Sequence, residues 1–400
     1  MDLSQGGIKK RLVTKMHNMK KVFILLSIFL LIPLCTACWD YREVDKMTIV
    51  AGIAVDRAAN GELLLTFEAV DLQGGKSETP IKSVLIESQG ETFMSAIRNT
   101  ISKDFPKLYF GHTTVVILSR EIAEEGVIKI IDFLLRDAEP RLNMNLYVSE
   151  EKTASEILKY KPSMSEILSE ELTNILDEQK NLAKALMVPA YKFVNAVTDE
   201  GVSAVLPSLC ITDNVDGKTI KLCGTAIFKE DKLQGFISDE ETYALSFILD
   251  EVKGGVIVAN IEPETDKKKV SLEIMESSTK IKPQYSNNKL SVEVNINTET
   301  FLNENMSSTD LNNEQKRKEL KKNAEEQLKD RIERLIEKMQ TGYGADIFGF
   351  GNSVYKNIPR IWKDKGEEWD KIFRDLDVTV KTNIEIKHLG LLSESIKIGD

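Results

Sequence analysis

The first forty residues constrain this chain more than any later segment, because they decide in which compartment the rest must fold. Lys9, Lys10, Arg11, Lys15, Lys20 and Lys21 form a basic stretch, followed without a charge by the apolar run Val22 to Leu34 and then by Thr36 and Ala37 before Cys38. That order, basic, then apolar, then small, is the layout of an export signal with its cleavage point. The apolar run is thirteen residues long, whereas a helix crossing about 30 Å of hydrocarbon takes roughly 20 residues. A cleaved signal over residues 1–37 is therefore expected in place of a permanent span. Met19-Lys20-Lys21 would by itself make a conventional start for such a signal.

A cysteine directly after the small pair resembles the lipobox of bacterial lipoproteins, with Cys38 as the lipidated first residue of the mature chain. The position three before it is usually Leu and here is Cys35, which is itself a poor acceptor because the bulky Leu34 precedes it. The plain alternative is an unmodified thiol beside an ordinary cleavage site. A diacylglyceryl group supplies two acyl chains, and each buried methylene contributes about 0.8 kcal/mol, so two chains hold a protein that one holds only marginally. No second apolar run is long enough to span, so membrane lipid through Cys38 is the expected anchor on the outer face.

The chain has 400 residues, 42% hydrophobic and 29% charged, enough to bury substantial cores in two or three domains. Removing residues 1–37 leaves 47 basic against 62 acidic residues, a formal charge of −15. That balance argues against nucleic acid as a partner. Cys210 and Cys223 flank Asp216-Gly217, a two-residue hairpin signal. Pairing outward from that turn sets Val215 opposite Lys218 and Cys210 opposite Cys223, in a non-hydrogen-bonded pair where side chains lie closest. A disulfide is compatible with a fold outside the cytoplasm; two reduced, partly buried thiols are the alternative.

The patterning is α+β. Thr48 to Asp56, Glu62 to Asp71 and Ser83 to Ser88 read as strands, Glu91 to Asp104 as a helix, Leu108 to Leu118 as a strand, Glu124 to Arg136 as a helix and Asn143 to Val148 as a strand. Helices follow at Ser163 to Leu176 and Leu182 to Val197, then short strands at Ser203 to Pro207 and the cysteine hairpin. A third region has a helix at Glu240 to Leu249, strands at Gly255 to Ile261, Val270 to Tyr285 and Lys289 to Thr300, a charged helix over Asn312 to Thr341 and strands near Val378 to Ile386. Leu320, Ala324, Leu328, Ile332, Leu335 and Met339 recur at three and four residues, one buried stripe on that helix. Three consecutive domains are expected after the signal, over 38–160, 161–239 and 240–400, each a mixed or antiparallel sheet flanked by helices.

Chemistry-bearing motifs are scarce. Of three histidines His17 leaves with the signal, and neither His112 nor His388 belongs to a His-Glu-x-x-His pair. Cys35-Thr36-Ala37-Cys38 has no second Cys-x-x-Cys to pair with, and there is no Gly-x-Ser-x-Gly elbow and no Gly-x-x-x-x-Gly-Lys loop. His112 inside an apolar strand reads as a satisfied, buried or half-buried imidazole. The glycines of Gly342-Tyr343-Gly344 and Phe348-Gly349-Phe350-Gly351 follow a helix with no strand before them, which suits helix termination. Trp362, Trp369 and Phe373 would share one helical face against the C-terminal sheet. No catalytic residue, metal ligand or cofactor site is assigned.

Three stretches, in order, resemble the Ger(x)C-type lipoproteins, the C subunits of bacterial spore germinant receptors. They are Ala37-Cys38-Trp39-Asp40-Tyr41-Arg42-Glu43-Val44 running on to Ala51-Gly52-Ile53-Ala54-Val55-Asp56; Gly111-His112 with Phe133-Leu134-Leu135-Arg136-Asp137 through Arg141; and Asp346 to Gly351 followed by Pro359-Arg360-Ile361-Trp362-Lys363 and Trp369. The resemblance implies three α+β domains, no enzymatic activity, and a complex with two integral membrane subunits, A-type and B-type, in the inner membrane of the dormant spore. Two other functions compete: a solute-binding lipoprotein that captures the germinant, which predicts two similar lobes around one cleft, and a wall-acting hydrolase, which needs a carboxylate or metal constellation.

Overall fold

The computed structural model describes residues 5–31, 47–71, 82–103, 107–136, 139–161, 165–215, 217–261, 269–307 and 309–388. Helix α1, Gln5–Leu31, carries the basic stretch and most of the apolar run and is a unit of its own. No helix among the described residues is long and apolar enough to cross a membrane.

The second unit begins with a hairpin of β1, Met47–Arg57, and β2, Leu63–Asp71, to which β3, Lys82–Gly90, adds antiparallel. Next come α2, Phe93–Asn99; β4, Lys107–Tyr109; β5, Val115–Leu118; α3, Arg120–Glu125; α4, Ile128–Arg136; and β6, Asn145–Ser149. They are followed by α5, Ala154–Leu158; α6, Leu168–Asp177; α7, Ala190–Val197; β7, Val205–Asn214; β8, Gly217–Lys229; and β9, Lys232–Ser238. The strands make one nine-stranded mixed sheet in the order β3-β2-β1-β5-β6-β7-β8-β9, with β4 on β1. Its centre, β1-β5-β6-β7, is parallel. Parallel strands are covered on both faces, so they read as continuous apolar runs; Val115 to Leu118 are all fully buried. Val116, Leu118, Leu146 and Val148 face one core with Ile122, Ile131 and Phe193, while Val115, Ile117 and Tyr147 face a second, smaller core closed by Ile157, Leu168 and Leu172 of α5 and α6.

The sheet runs through the boundary expected between 38–160 and 161–239. Val148 and Ser149 of β6 pair with Ser208 and Leu209 of β7, so these two segments share one sheet.

The remainder is α8, Asp239–Ile248; β10, Val256–Asn260; β11, Lys269–Ser286; β12, Lys289–Asn305; α9, Glu314–Lys338, ending in a π turn at Met339–Tyr343; α10, Phe350–Asn357; α11, Pro359–Lys365; α12, Trp369–Arg374; and β13, Asp377–His388. They build a four-stranded sheet, β10-β11-β12-β13. Asn287 and Asn288, at φ 51° and 62°, close β11 on β12, the doubly left-handed turn that asparagine tolerates and a right-twisted hairpin prefers. The stripe expected on α9 is buried, from Leu320 to Met339. It lies over this sheet, where Thr382 of β13 donates to the Glu325 carbonyl at 2.9 Å.

Several elements are shorter or differently placed than their patterns suggest. The helix expected over Glu124 to Arg136 breaks at Gly126, φ 123°, because Asp231 captures the start of α4: its carbonyl accepts from Val127 N at 3.0 Å and its carboxylate from Ile128 N at 3.1 Å. The helix expected from Leu182 begins only at Ala190, after Pro189. Leu108 to Leu118 is two strands, β4 and β5, separated by a turn at Gly111 and His112.

Candidate functional site

Cys38 lies outside the described residues, as do Cys35 and Trp39. The other cysteines are on β7 and β8, both half-buried. The hairpin closes one residue earlier on each strand than expected, with Asn214 opposite Gly217, so Cys210 faces Lys221 and not Cys223. A bulge corrects the offset: Leu209 pairs with Leu222 and Ser208 with Gly224, leaving Cys223 as the extra residue. The bulge bends β8 so that Cys223 meets Cys210 in disulfide contact with Cα atoms 5.9 Å apart, inside the range a disulfide spans. Asp216 itself lies outside the described residues.

The expected consequence of a bridge there is modest, because it closes a loop of 13 residues. Chain-entropy reasoning gives at most about 3 kcal/mol, less where the reduced hairpin keeps its shape. Cys223→Ser should lower the melting temperature slightly and leave function intact. Non-reducing digestion of membrane-isolated protein is the deciding measurement: two alkylatable thiols at 210 and 223 would refute the bridge.

Neither remaining histidine is buried. His112 is exposed in the turn before β5 with its ring centroid 6.1 Å from that of Tyr109, a correction to the buried imidazole expected in an unbroken strand, and His388 is exposed at the end of β13. Among the described residues no group of three His, Cys, Asp or Glu side chains is arranged to hold a metal ion.

Among the described residues the buried carboxylates are Asp56, Glu68 and Asp346, and each closes the N-terminus of a helix, where backbone N–H groups lack partners. Asp56 at the end of β1 accepts from Ala154 N at 2.6 Å and Ser155 N at 2.9 Å at the start of α5. Burial raises its carboxyl above the ordinary aspartate range, against the pull of those two donors. Glu68 on β2 accepts from Leu168 N at 2.7 Å and from Ser169 N and Oγ at 2.9 and 2.6 Å, at the start of α6, and Ser83 Oγ donates to it at 2.9 Å. Sequence reading passed over Glu68: a glutamate in an otherwise apolar strand is the available signal, but the helix-start donors it serves are about a hundred residues away.

Asp346, like Glu68, accepts four hydrogen bonds. Its Oδ1 accepts from Phe348 N at 3.1 Å and Phe350 N at 3.2 Å, and its Oδ2 from Gly351 N at 2.8 Å and Trp369 Nε1 at 3.0 Å. Complete burial pushes its carboxyl up to about 6. Gly351 beside it is a spatial necessity. A Cβ on Gly351 would stand 2.7 Å from both the Gly201 carbonyl oxygen and Trp369 Nε1, where Asn352 N donates to that carbonyl at 3.1 Å. Trp362 and Trp369 do not share one helix as expected: α11 and α12 are separated by a 3-10 turn at Gly366–Glu368, and the two indoles meet at 5.6 Å between centroids. Phe373 is buried beside Phe348 and Phe350.

Two of the stretches singled out in the sequence thus carry a buried carboxylate that holds a helix start, Asp56 and Asp346, and the order of the stretches can be compared with known proteins. Residues 40–211 match the family model described as Spore germination protein N-terminal domain, and residues 223–390 match the one described as Spore germination B3/ GerAC like, C-terminal. Spore germination protein B3 of Bacillus subtilis (strain 168) is 25% identical over 374 residues, covering 92% of this chain and 97% of its own. Spore germination protein KC of the same organism is 25% identical over 405 residues, covering 94% and 97%. Spore germination protein GerQC of Bacillus cereus is 23% identical over 376 residues, covering 92% and 98%. The crystal structure of the GerBC protein shares the fold at a TM-score of 0.54 and 22% identity, over 84% of this chain and 97% of that one. Two matches to one family, in order and covering all but the chain's two ends and a short join, make this chain a member of the Ger(x)C-type spore germination proteins.

Proposed function

We propose that this chain is the C subunit of a spore germinant receptor, a lipoprotein held on the outer face of the inner spore membrane through Cys38 and needed for nutrient-triggered germination. Its partners in this reading are the A-type and B-type integral membrane subunits. The carrying observation is the pair of family matches tiling residues 40–211 and 223–390, together with germination proteins aligned over nearly their whole lengths. The subunit works without catalysis: its buried carboxylates are engaged by backbone N–H groups at helix starts, which leaves them no free geometry for a glycosidase-like pair.

The role is tested by deleting the gene from its spore former and following germination in a panel of nutrients. Loss of the response to at least one nutrient, restored by a copy in trans, is expected. Unchanged germination in every nutrient would sink the role, and turnover of wall polymers by the purified chain that one carboxylate substitution abolishes would sink its non-catalytic part.

A further inference from the structure

Where the chain enters its first sheet limits which side of the molecule can meet a bilayer. Cys38 precedes Met47, the first residue of β1, by nine residues, a reach of about 30 Å at full extension. β1 is 11 residues long, about 36 Å at roughly 3.3 Å per residue. The tether is thus shorter than the strand it feeds. A membrane holding Cys38 can lie against the entry end of the sheet or along one of its sides, and the far end stays out of reach.

Because β1, β5 and β6 are parallel, all three start at that entry end. Thr114 N donates to the Ala51 carbonyl at 2.9 Å and Asn145 N to the Thr114 carbonyl at 2.8 Å, which keeps the starts level. Large apolar side chains stand exposed there: Leu142 before β6 at 52%, Tyr191 and Met187 at 48% and 43%, and Val84 on β3 at 43%. Tyr191 N donates to the Leu142 carbonyl at 3.2 Å, and Met187 and Tyr191 line one cleft with His112 and Arg141. Val84 lies opposite Ala69, itself opposite Val50 near the start of β1. Charge divides along the same axis: β5 and β6 are entered past His112 and Arg141 and left into Glu121, Glu124 and Glu125 of α3 and into Glu150 and Glu151. Of the acids at the entry end, Glu139 is paired with Lys107 at 2.9 Å, and Asp177 shares the cleft with Arg141.

We propose that this entry end is the face the protein lays on the lipid bilayer, with Leu142, Met187, Tyr191 and Val84 at the headgroup boundary and Arg141 against lipid phosphates. Tyrosine, an apolar ring with a polar tip, suits that boundary, and guanidinium pairs with phosphate. Four side chains are too few to hold an untethered chain. They act because the tether keeps them within reach of the surface, and they fix which way the domain faces. The inference rests on the anchor at Cys38, and its test separates the two.

The test floats the mature, lipidated chain with vesicles of phosphatidylglycerol and phosphatidylcholine that carry a nitroxide on the phosphatidylcholine headgroup. A bimane fluorophore sits on one introduced cysteine, with Cys210 and Cys223 replaced by serine. Labels at Leu142→Cys and Tyr191→Cys should be quenched at least about threefold more than labels at Asn60→Cys and Lys152→Cys, exposed residues at the far end. Met187→Glu should lower the quenching at 142 while leaving the melting temperature unchanged, since that side chain is exposed. A chain that floats with all four labels quenched equally overturns the docking and leaves the anchor standing. Labels at 142 and 191 shielded from aqueous iodide without lipid quenching would put a second copy on this face and overturn the docking as well. A mature chain that stays at the bottom of the gradient overturns the anchor and the docking with it.

Discussion

Asp346→Ala is expected to destabilise the chain by roughly 3–5 kcal/mol at neutral pH. The carboxylate joins three backbone N–H groups at the start of α10 to the indole of Trp369 on α12, and it is 3% exposed. Removing it strands four donors at once, each costing about 1–3 kcal/mol before water or relaxation recovers part. Asp346→Asn should fare little better, since the amide nitrogen would present N–H to N–H. Urea unfolding followed by Trp fluorescence reads the loss directly, and a loss under about 1 kcal/mol would show that the four bonds are not what holds this corner.

The same group gives a pH signature with a fixed sign. Its folded pKa, about 6, lies above the ordinary aspartate value of 3.8. Between those values the folded chain binds more protons than the unfolded one, so the stability contributed by this group is full below about pH 4 and falls as pH rises to about 6. The gap between wild type and Asp346→Ala should therefore shrink across that window by up to about 3 kcal/mol and be flat above it. Asp56 is shifted in the same direction, so the comparison must be between the two proteins and not within one. A gap that widens as pH rises would mean that the four donors outweigh burial.

How legible these features were in the sequence depended on how far apart their partners lie. The apolar run of β1 and the stripe from Leu320 to Met339 were readable because burial on a strand or a helix face repeats within a few residues. The break at Gly126 was not, because Asp231, about a hundred residues on, supplies its hydrogen bonds. The parallel pairing of β12 with β13 joins Ser291 to Asp377 across α9 to α12 and leaves no local mark. The cysteine hairpin shows the intermediate case. Its turn and its two partners were visible, but a register is set by the summed packing of both strands, and here a bulge at Cys223 restored a contact that the register alone would have denied.

The proposed anchor has the largest expected effect on where the protein resides, and Cys38→Ala isolates it. If Cys38 carries a diacylglyceryl group, two acyl chains at about 0.8 kcal/mol per methylene hold the chain far more firmly than the marginal grip of one. No helix among the described residues is long and apolar enough to span, so nothing described there replaces that energy. The substitution should abolish labelling by a radioactive or clickable fatty acid and move the processed chain from the membrane pellet to the supernatant, with an unchanged melt. Two controls make the result decisive. The cells must lack the two partner subunits, because a protein contact would also retain the variant, and mass spectrometry must show that residues 1–37 are gone, because an uncleaved apolar run would hold it in the bilayer. Under both conditions, a Cys38→Ala chain that still pellets with membranes would mean that the anchoring lies elsewhere in the protein; a wild-type chain that takes no lipid label would mean that Cys38 is an ordinary thiol after a plain cleavage site.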